Sequence, residues 1–170
     1  VKIEPTWDVI GMVGTGSPWI SYLGTGGIRV AHRVGGGWQS ELAEANPHSV
    51  MRTAIAVDHN GVPHVAYYDL DTLELRHVAR NGPAWSGEAV AWVYNWLWNP
   101  SYTVAATSIA IDPAGRPAIA YYTFAAMDLH LARWGGSAGT DQTIDAGGDA
   151  GLGCSLAFDP TGAPAVSYFA

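Results

Sequence analysis

Residues 53–68 read TAIAVDHNGVPHVAYY, and this stretch decides the fold because the chain repeats it. Three further copies are present: residues 8–23, DVIGMVGTGSPWISYL; residues 107–122, TSIAIDPAGRPAIAYY; and residues 154–169, CSLAFDPTGAPAVSYF. The last three copies share D-x-x-G-x-P, and the first keeps only G-x-P. One glycine anchors each copy: Gly16, Gly61, Gly115 and Gly162. The unit therefore repeats about every 50 residues, which is the spacing of a repeat architecture.

Each repeat contains two predicted hairpins. In the second copy, residues 55–57 form a short strand, residues 58–61 a turn and residues 65–68 the returning strand. Glycine supplies the positive φ of the turn, and aspartate bonds nearby backbone N–H groups. The second hairpin supplies a third strand (28–33, 75–80, 129–134) and a fourth (38–42, 85–90, 141–144). The first two strands are apolar on both sides, which indicates that both faces of each sheet are covered.

Four antiparallel strands per unit, covered on both faces, are typical of a β-propeller blade. We therefore predict an all-β, single-domain propeller with about three and a half blades in this chain. The predicted parts are an outer strand of a shared blade (1–7), blade 1 (8–50), blade 2 (53–105), blade 3 (107–150) and a half blade (154–170). A β-sandwich gives no reason for a repeating D-x-x-G-x-P.

Composition excludes several other classes. Of 170 residues, 48% are hydrophobic and only 14% are charged, which disfavours a disordered chain. The net charge of −7 disfavours nucleic acids and anionic membranes, since both need a basic face. No apolar run is long enough to span a bilayer. One cysteine, Cys154, can form neither an internal disulfide nor a cysteine zinc site, and we expect it to be a small packed residue.

The repeats resemble those of bacterial secreted β-propeller repeat proteins, in the segments D-x-x-G-x-P and A-Y-Y. Residues 150–169, AGLGCSLAFDPTGAPAVSYF, are the closest copy. They are also distantly similar to the BNR or Asp-box repeats of sialidase-like propellers. The resemblance implies a secreted or cell-surface protein. It specifies a fold rather than a function, because propellers have many functions.

The two ends of the chain predict a shared blade. By register, residues 1–4 form a fourth strand, and the last copy supplies only first and second strands. Three arrangements fit: a segment of a longer propeller, a ring completed by a second copy in a homo-oligomer, or a closed four-bladed ring. If the ends meet in one mixed blade, deleting residues 1–6 should lower stability or dissolve the assembly.

A Trp-rich segment between blades 2 and 3 is the first candidate site. The second repeat is longer than its neighbours, and the excess, AWVYNWLWNPSYTVAA, carries five aromatic residues: Trp92, Tyr94, Trp96, Trp98 and Tyr102. Such connections lie on the face used by propellers for ligands, together with Asp69. Aromatic rings suit a sugar or an apolar protein partner. The alternative is that Trp92 and Trp96 extend a strand and pack between blades.

The loop after the second strand of blade 2 is the second candidate. Asp69, Asp71 and Glu74 supply oxygen ligands that calcium accepts, although the spacing is not that of an EF-hand. The alternative is an Asx turn in a solvated loop. No other cofactor is predicted.

Other polar residues favour structural interpretations. The recurring Asp58, Asp112 and Asp159 are predicted to cap turns. His64 and His77 stand where sister strands have apolar residues, and we expect hydrogen-bonded structural histidines.

Three functions remain open. The leading one is a non-catalytic binding or scaffold propeller that recognises a glycan or protein. The second is part of a glycoside hydrolase or polysaccharide lyase. Arg52, Arg76, Glu74 and Tyr68 would contribute part of a sialidase-like site. Asp69 with Glu74 or Asp71 would supply the two carboxylates for glycosidic cleavage. The third is a self-assembling fragment without a ligand.

Overall fold

The computed structural model describes residues 9–12, 17–45, 49–93, 107–135 and 138–170, and all regular structure in these ranges is β. Blade 1 contains β1 (Val9–Met12), β2 (Pro18–Gly24), β3 (Gly27–Val34) and β4 (Gly37–Ala45). Blade 2 contains β5 (Val50–Val57), β6 (Pro63–Asp69), β7 (Glu74–Asn81) and β8 (Ala84–Trp92). Blade 3 contains β9 (Ser108–Ile111), β10 (Pro117–Thr123), β11 (Asp128–Gly135) and β12 (Ala138–Asp145). The half blade contains β13 (Leu152–Phe158) and β14 (Pro164–Phe169).

The strands pair in chain order within each blade. Blades 1, 2 and 3 are four-stranded antiparallel sheets, and β13 and β14 form a two-stranded sheet. The predicted fold class, an all-β partial propeller, is confirmed. Each of the three full sheets has one register irregularity between its third and fourth strands, as at Leu75/Arg76 in blade 2.

The repeated D-x-x-G-x-P forms a turn, and the side chain of its own aspartate stabilises this turn through hydrogen bonds. Oδ1 of Asp58 accepts the backbone N–H groups of Asn60 (2.9 Å) and Val62 (2.7 Å). Asp112 and Asp159 make the equivalent pairs of bonds in the next two copies. The following glycine has a positive φ in all three copies, +78° at Gly61, which explains why glycine recurs there. The predicted capping role is confirmed.

Removing one of these caps should cost measurable stability. Asp112 also holds Arg116, with 2.6 Å between Oδ2 and Nη2. We expect Asp112→Ala to lower the free energy of unfolding by about 1.5 kcal/mol, because two backbone N–H groups lose their acceptor. Asp112→Asn keeps an acceptor oxygen and should cost about half as much. Urea titrations followed by tryptophan fluorescence measure both, and equal losses would contradict the capping argument.

In the part of the chain that the structure describes, the core consists of three clusters, one at each junction between blades. Blades 1 and 2 bury Ile28, Val30, Val65 and Val78 against each other. The blade 2–3 cluster contains Ala66, Tyr68, Leu75, Ile109, Ile119 and Tyr121. The cluster between blade 3 and the half blade contains Ala118, Ala120, Leu129, Leu131, Cys154 and Leu156. Both faces of blades 2 and 3 are thus covered, which explains their continuous apolar strands.

A buried tyrosine ties blade 2 to blade 3. The hydroxyl of Tyr68 donates to the carbonyl of Tyr122 (3.1 Å) and accepts the N–H of the same residue (2.9 Å). Tyr68 has no exposed surface. One side chain therefore satisfies both backbone groups of a residue in the next blade.

Backbone bonds bring the loop after β6 and the connections between blades to one face, which we call the loop face. Leu70 N–H donates to Ser49 C=O at 2.9 Å, and Val93 N–H donates to Leu73 C=O at 3.2 Å. Phe124 N–H, in the next blade, donates to Val93 C=O at 2.7 Å. Loops between second and third strands therefore lie beside the connections from fourth strands, as predicted.

The proposed strand at residues 1–4 lies outside the described residues, so the shared blade stays a prediction, as does assembly with a second copy. On β14, Phe169 is 71% exposed and Tyr168 is 38% exposed. Within the described ranges, no helix has the length and apolar character needed to cross a bilayer.

Candidate functional site

A groove on the loop face separates blade 1 from blade 2. Its cavity of about 280 Å³ is lined by Glu44, Ala45, Tyr67, Asp69, Asp71, Thr72 and Arg76. The end of β4 supplies one wall, and β6, β7 and the loop between them supply the other. We call it the blade 1–2 groove.

An arginine on β7 organises the polar wall of this groove. Arg76 Nη2 lies 2.6 Å from Oε1 of Glu44 in blade 1, and its Nη1 lies 3.0 Å from Oε2 of Glu74. The hydroxyl of Tyr67, the β6 partner of Arg76, donates to Oε2 of Glu44. One guanidinium, two carboxylates and one phenol thus meet between two blades.

The phenol and the guanidinium of this cluster both keep their protons near neutral pH, because the pKa of each is raised. Burial raises the pKa of Tyr67, and the bond to Glu44 raises it further, so the phenol keeps its proton. The bond to Glu44 also raises the pKa of Arg76. The groove therefore presents defined donors and acceptors to a ligand.

Gly87 on β8 makes room for the Glu44 carboxylate. A Cβ at Gly87 would lie 2.7 Å from Oε1 of Glu44 and 3.0 Å from its Cδ. Gly87 is not among the glycines with positive φ, so its backbone gives no reason for glycine. The Glu44 side chain of blade 1 occupies the space above Gly87.

Three sequence-predicted site residues form one row across blade 2. Asp69 on β6 pairs with Glu74 on β7, and Glu74 pairs with Trp92 on β8. Cross-strand partners share a sheet face, so the row lies on the side of Arg76. Trp92 is 74% exposed, which contrasts with the alternative that it packs between blades. Contact between this row and a ligand stays a prediction.

The acidic loop next to this row is an Asx turn. Asp69 is buried, and its Oδ1 accepts the N–H groups of Asp71 (2.9 Å) and Thr72 (3.3 Å). Asp71 Oδ2 accepts Ser49 N–H at 3.1 Å. Across the described ranges, no group of three or more histidine, cysteine, aspartate or glutamate side chains is placed to hold a metal ion. The calcium site at Asp69, Asp71 and Glu74 stays a prediction.

Of the predicted aromatic residues, Trp92 lies within the described ranges. Tyr94, Trp96, Trp98 and Tyr102 lie outside the described residues. Their predicted part in ligand binding is unchanged.

A second groove lies between blades 2 and 3, nearer the outer strands. Its cavity of about 250 Å³ is lined by Glu88, Ala89, Val90, Ala132, Arg133, Trp134, Gly139, Thr140 and Asp141. We call it the blade 2–3 groove. Oε1 of Glu88 accepts the indole N–H of Trp134 from across the groove at 3.0 Å.

A buried pair of histidines lies behind Glu88. His77 Nδ1 is 2.9 Å from Oε1 of Glu88, and its Nε2 is 3.1 Å from Nδ1 of His64. Oδ2 of Asp58 lies 3.9 Å from Nε2 of His64. Burial lowers the pKa of both histidines, that of His64 to about 4. The prediction of hydrogen-bonded structural histidines is confirmed.

Cys154 is buried between blade 3 and the half blade. Its Sγ lies 3.4 Å from the carbonyl of Ala120, and burial raises the pKa of the thiol to about 12. A protonated, buried thiol is a poor nucleophile, which agrees with the predicted packing role.

Sequence reasoning missed Glu44, Tyr67 and Gly87 as site residues, and it considered Arg76 only for the enzymatic alternative. One signal was available: a tyrosine follows each G-x-P at the same distance, at Tyr22, Tyr67, Tyr121 and Tyr168. Two of them donate to an acid at the end of the preceding blade: Tyr67 to Glu44, and Tyr168 to Asp145 at 2.6 Å.

Several solved structures have a similar fold, and two of them are lectins in complex with a methyl fucoside. A triple arginine-to-alanine variant of AofleA from Arthrobotrys oligospora has a TM-score of 0.63 and 16% identity, over 94% of this chain and 48% of that one. SapL1 lectin with α-methyl fucoside has a TM-score of 0.60 and 14% identity, over 88% and 49%. A variant of Aleuria aurantia lectin with α-methyl-L-fucoside has a TM-score of 0.55 and 16% identity, over 92% and 52%.

These similarities establish the fold. The chain spans about half the length of each of these structures. Neither a protein-family model nor a curated protein matches the sequence. The fold is thus shared with β-propeller lectins at identities too low to carry over a ligand.

Proposed function

We propose that the protein is a non-catalytic glycan-binding propeller and that the blade 1–2 groove holds a sugar. The observation that carries the proposal is the Glu44–Arg76–Tyr67 cluster in a cavity that Asp69 and Asp71 also line. The exposed ring of Trp92 belongs to the same side of blade 2.

The chemistry of the cluster suits a sugar. Each sugar hydroxyl both donates and accepts a hydrogen bond, so neighbouring hydroxyls match a carboxylate beside a guanidinium. Glu44 is already held in place by Arg76, and little ordering is needed when a ligand binds. An exposed indole adds the apolar surface on which a sugar ring packs.

The similar folds suggest which sugar to test first. SapL1 and Aleuria aurantia lectin were solved with α-methyl fucosides. We therefore take α-methyl-L-fucoside as the first probe, followed by a glycan array for other sugars.

The test measures binding by isothermal titration calorimetry on the whole chain. We expect Arg76→Met to weaken binding of the best array ligand at least tenfold, because a charged donor is lost and Glu44 loses its orientation. Gly87→Ala keeps the charged donor of Arg76. It should still weaken binding, because the added Cβ displaces the Glu44 carboxylate and changes its orientation.

The matched control is Arg29→Met. Arg29 pairs with Tyr22 in blade 1 as Arg76 pairs with Tyr67 in blade 2, but it lies outside the groove. It should leave affinity unchanged. Binding that survives in both Arg76→Met and Gly87→Ala, or no glycan binding by the folded protein, contradicts the proposal. Turnover of a p-nitrophenyl glycoside would instead favour the hydrolase alternative.

A further inference from the structure

The blade 1–2 and blade 2–3 junctions differ in one pair of equivalent residues. Between blades 1 and 2, Glu41 on β4 pairs with Arg80 on β7, with 3.1 Å between Oε1 and Nη1. Between blades 2 and 3, the equivalent acid is Glu88 on β8, and Trp134 on β11 stands in place of the arginine. A guanidinium is thus exchanged for an indole.

Among the described residues, the exchange leaves the Glu88 carboxylate without a fixed cation. Glu88 contacts the indole N–H of Trp134 and the imidazole of His77. Burial lowers the pKa of His77, so this histidine stays neutral near pH 7. The Glu88 side chain is 54% exposed, and its charge therefore faces the groove.

A second carboxylate joins the same groove. Asp141 occupies the position of Gly87 in the preceding blade, so blade 3 adds an acid where blade 2 has none. Its Oδ2 lies 3.0 Å from Nδ1 of His130, and its side chain is 46% exposed.

The arginine in the lining does not serve as the cation of this groove. The guanidinium of Arg133 lies over the ring of Phe158 in the half blade, 5.2 Å from the centroid. It also donates to the carbonyl of Gly162 at 3.3 Å. Both contacts are on the other side of blade 3.

We propose that the blade 2–3 groove binds a guanidinium group, such as an arginine side chain of a ligand, between Glu88, Asp141 and the ring of Trp134. The ligand cation would pair with Glu88 as Arg80 pairs with Glu41 one junction earlier in this chain. The cavity of about 250 Å³ has room for such a group.

Three physical features favour this ligand class. A planar guanidinium pairs with carboxylates through two parallel bonds and stacks on an aromatic face. A cation near an indole gains further attraction from the ring. The net charge of −7 draws cations toward the molecule.

The experiment compares two probes that differ mainly in charge: N-acetyl-L-arginine amide and its neutral isostere, N-acetyl-L-citrulline amide. Binding is followed by the NMR shift of the Trp134 indole N–H, assigned with Trp134→Phe. The arginine probe should shift this resonance saturably and the citrulline probe should not. Raising the salt concentration should weaken binding.

Isosteric variants locate the site. Glu88→Gln keeps an acceptor for Trp134 and removes the charge, and it should weaken arginine binding about tenfold. Asp141→Asn should act in the same direction. Glu41→Gln, at the junction where Arg80 already fills the position, is the matched control and should have no effect.

Equal binding of the two probes, absence of arginine binding, or arginine binding that survives in Glu88→Gln would overturn the proposal. Arg76→Met separates it from the glycan proposal, because that variant alters only the blade 1–2 groove. Loss of glycan binding with intact arginine binding shows that the two grooves act independently.

Discussion

Lowering the pH from 7 to 4 should reduce the free energy of unfolding by about 3 kcal/mol through His64 alone. The pKa of His64 is lowered to about 4 in the folded protein, first by burial and then by the neighbouring His77. In the unfolded chain the same imidazole titrates near 6.5. At a pH between these two pKa values, the unfolded state therefore binds a proton at His64 and the folded state does not.

The direction of the effect follows from this difference. Above about pH 6.5 both states hold a neutral imidazole, and the stabilisation is complete. As the pH falls toward 4, it is lost progressively. The Asp58 carboxylate, in the neighbouring turn, raises the pKa of His64 and so opposes its lowering by burial. Glu88 on β8 faces His77. Two protonated rings 3.1 Å apart would also lose their shared hydrogen bond.

The control variant replaces both histidines by the residues of the sister strands. His64→Ala with His77→Leu copies Ala118 and Leu131 of blade 3. Urea titrations at pH 7, 5.5 and 4 then separate this effect from the titration of other groups. The wild type should lose at least about 3 kcal/mol more than the variant. Parallel losses in the two proteins would show that the histidines do not carry the dependence.

Removing one hydroxyl should loosen the junction between blades 2 and 3. Tyr68→Phe leaves the N–H and the carbonyl of Tyr122 without the partner that serves both. We expect a loss of about 2–3 kcal/mol, because these groups are buried and water cannot replace the hydroxyl. Denaturant titration measures the loss.

Tyr122→Phe is the matched control. Its hydroxyl donates to Oδ1 of Asp149 at 2.6 Å, and Asp149 is exposed to solvent. Water can take over that bond, so a loss below about 1 kcal/mol is expected. If the two variants were equally destabilised, the bridge between the blades would not be the cause.

The sequence predicts the strands well because the repeats are compared with one another. Residues 75–80 and 129–134 align as third strands, and β7 and β11 contain them. The turn aspartates are equally predictable, since Asp58 and Asn60 are close in sequence. Local contacts that recur in each copy can be recognised without a structure.

The contacts across the junctions are not predictable in the same way. Glu44 and Arg76 are far apart in the chain and belong to different copies, so aligning the repeats does not bring them together. Their contact depends on how two blades pack and on the missing side chain at Gly87. The row of Asp69, Glu74 and Trp92 likewise depends on strand register rather than on spacing in the sequence.

The packing of the Glu44 carboxylate over Gly87 affects how the repeats of such a chain can recombine. The carboxylate beside Arg76 comes from the preceding blade, whereas blade 3 encodes its own acid, Asp141, at that position. A chimera that moves blade 2 without blade 1 would carry Arg76 away from Glu44, but one that moves blade 3 would keep Asp141 with His130. The blade 1–2 groove can therefore be inherited only as a pair of adjacent blades, although the repeating structural unit is a single blade.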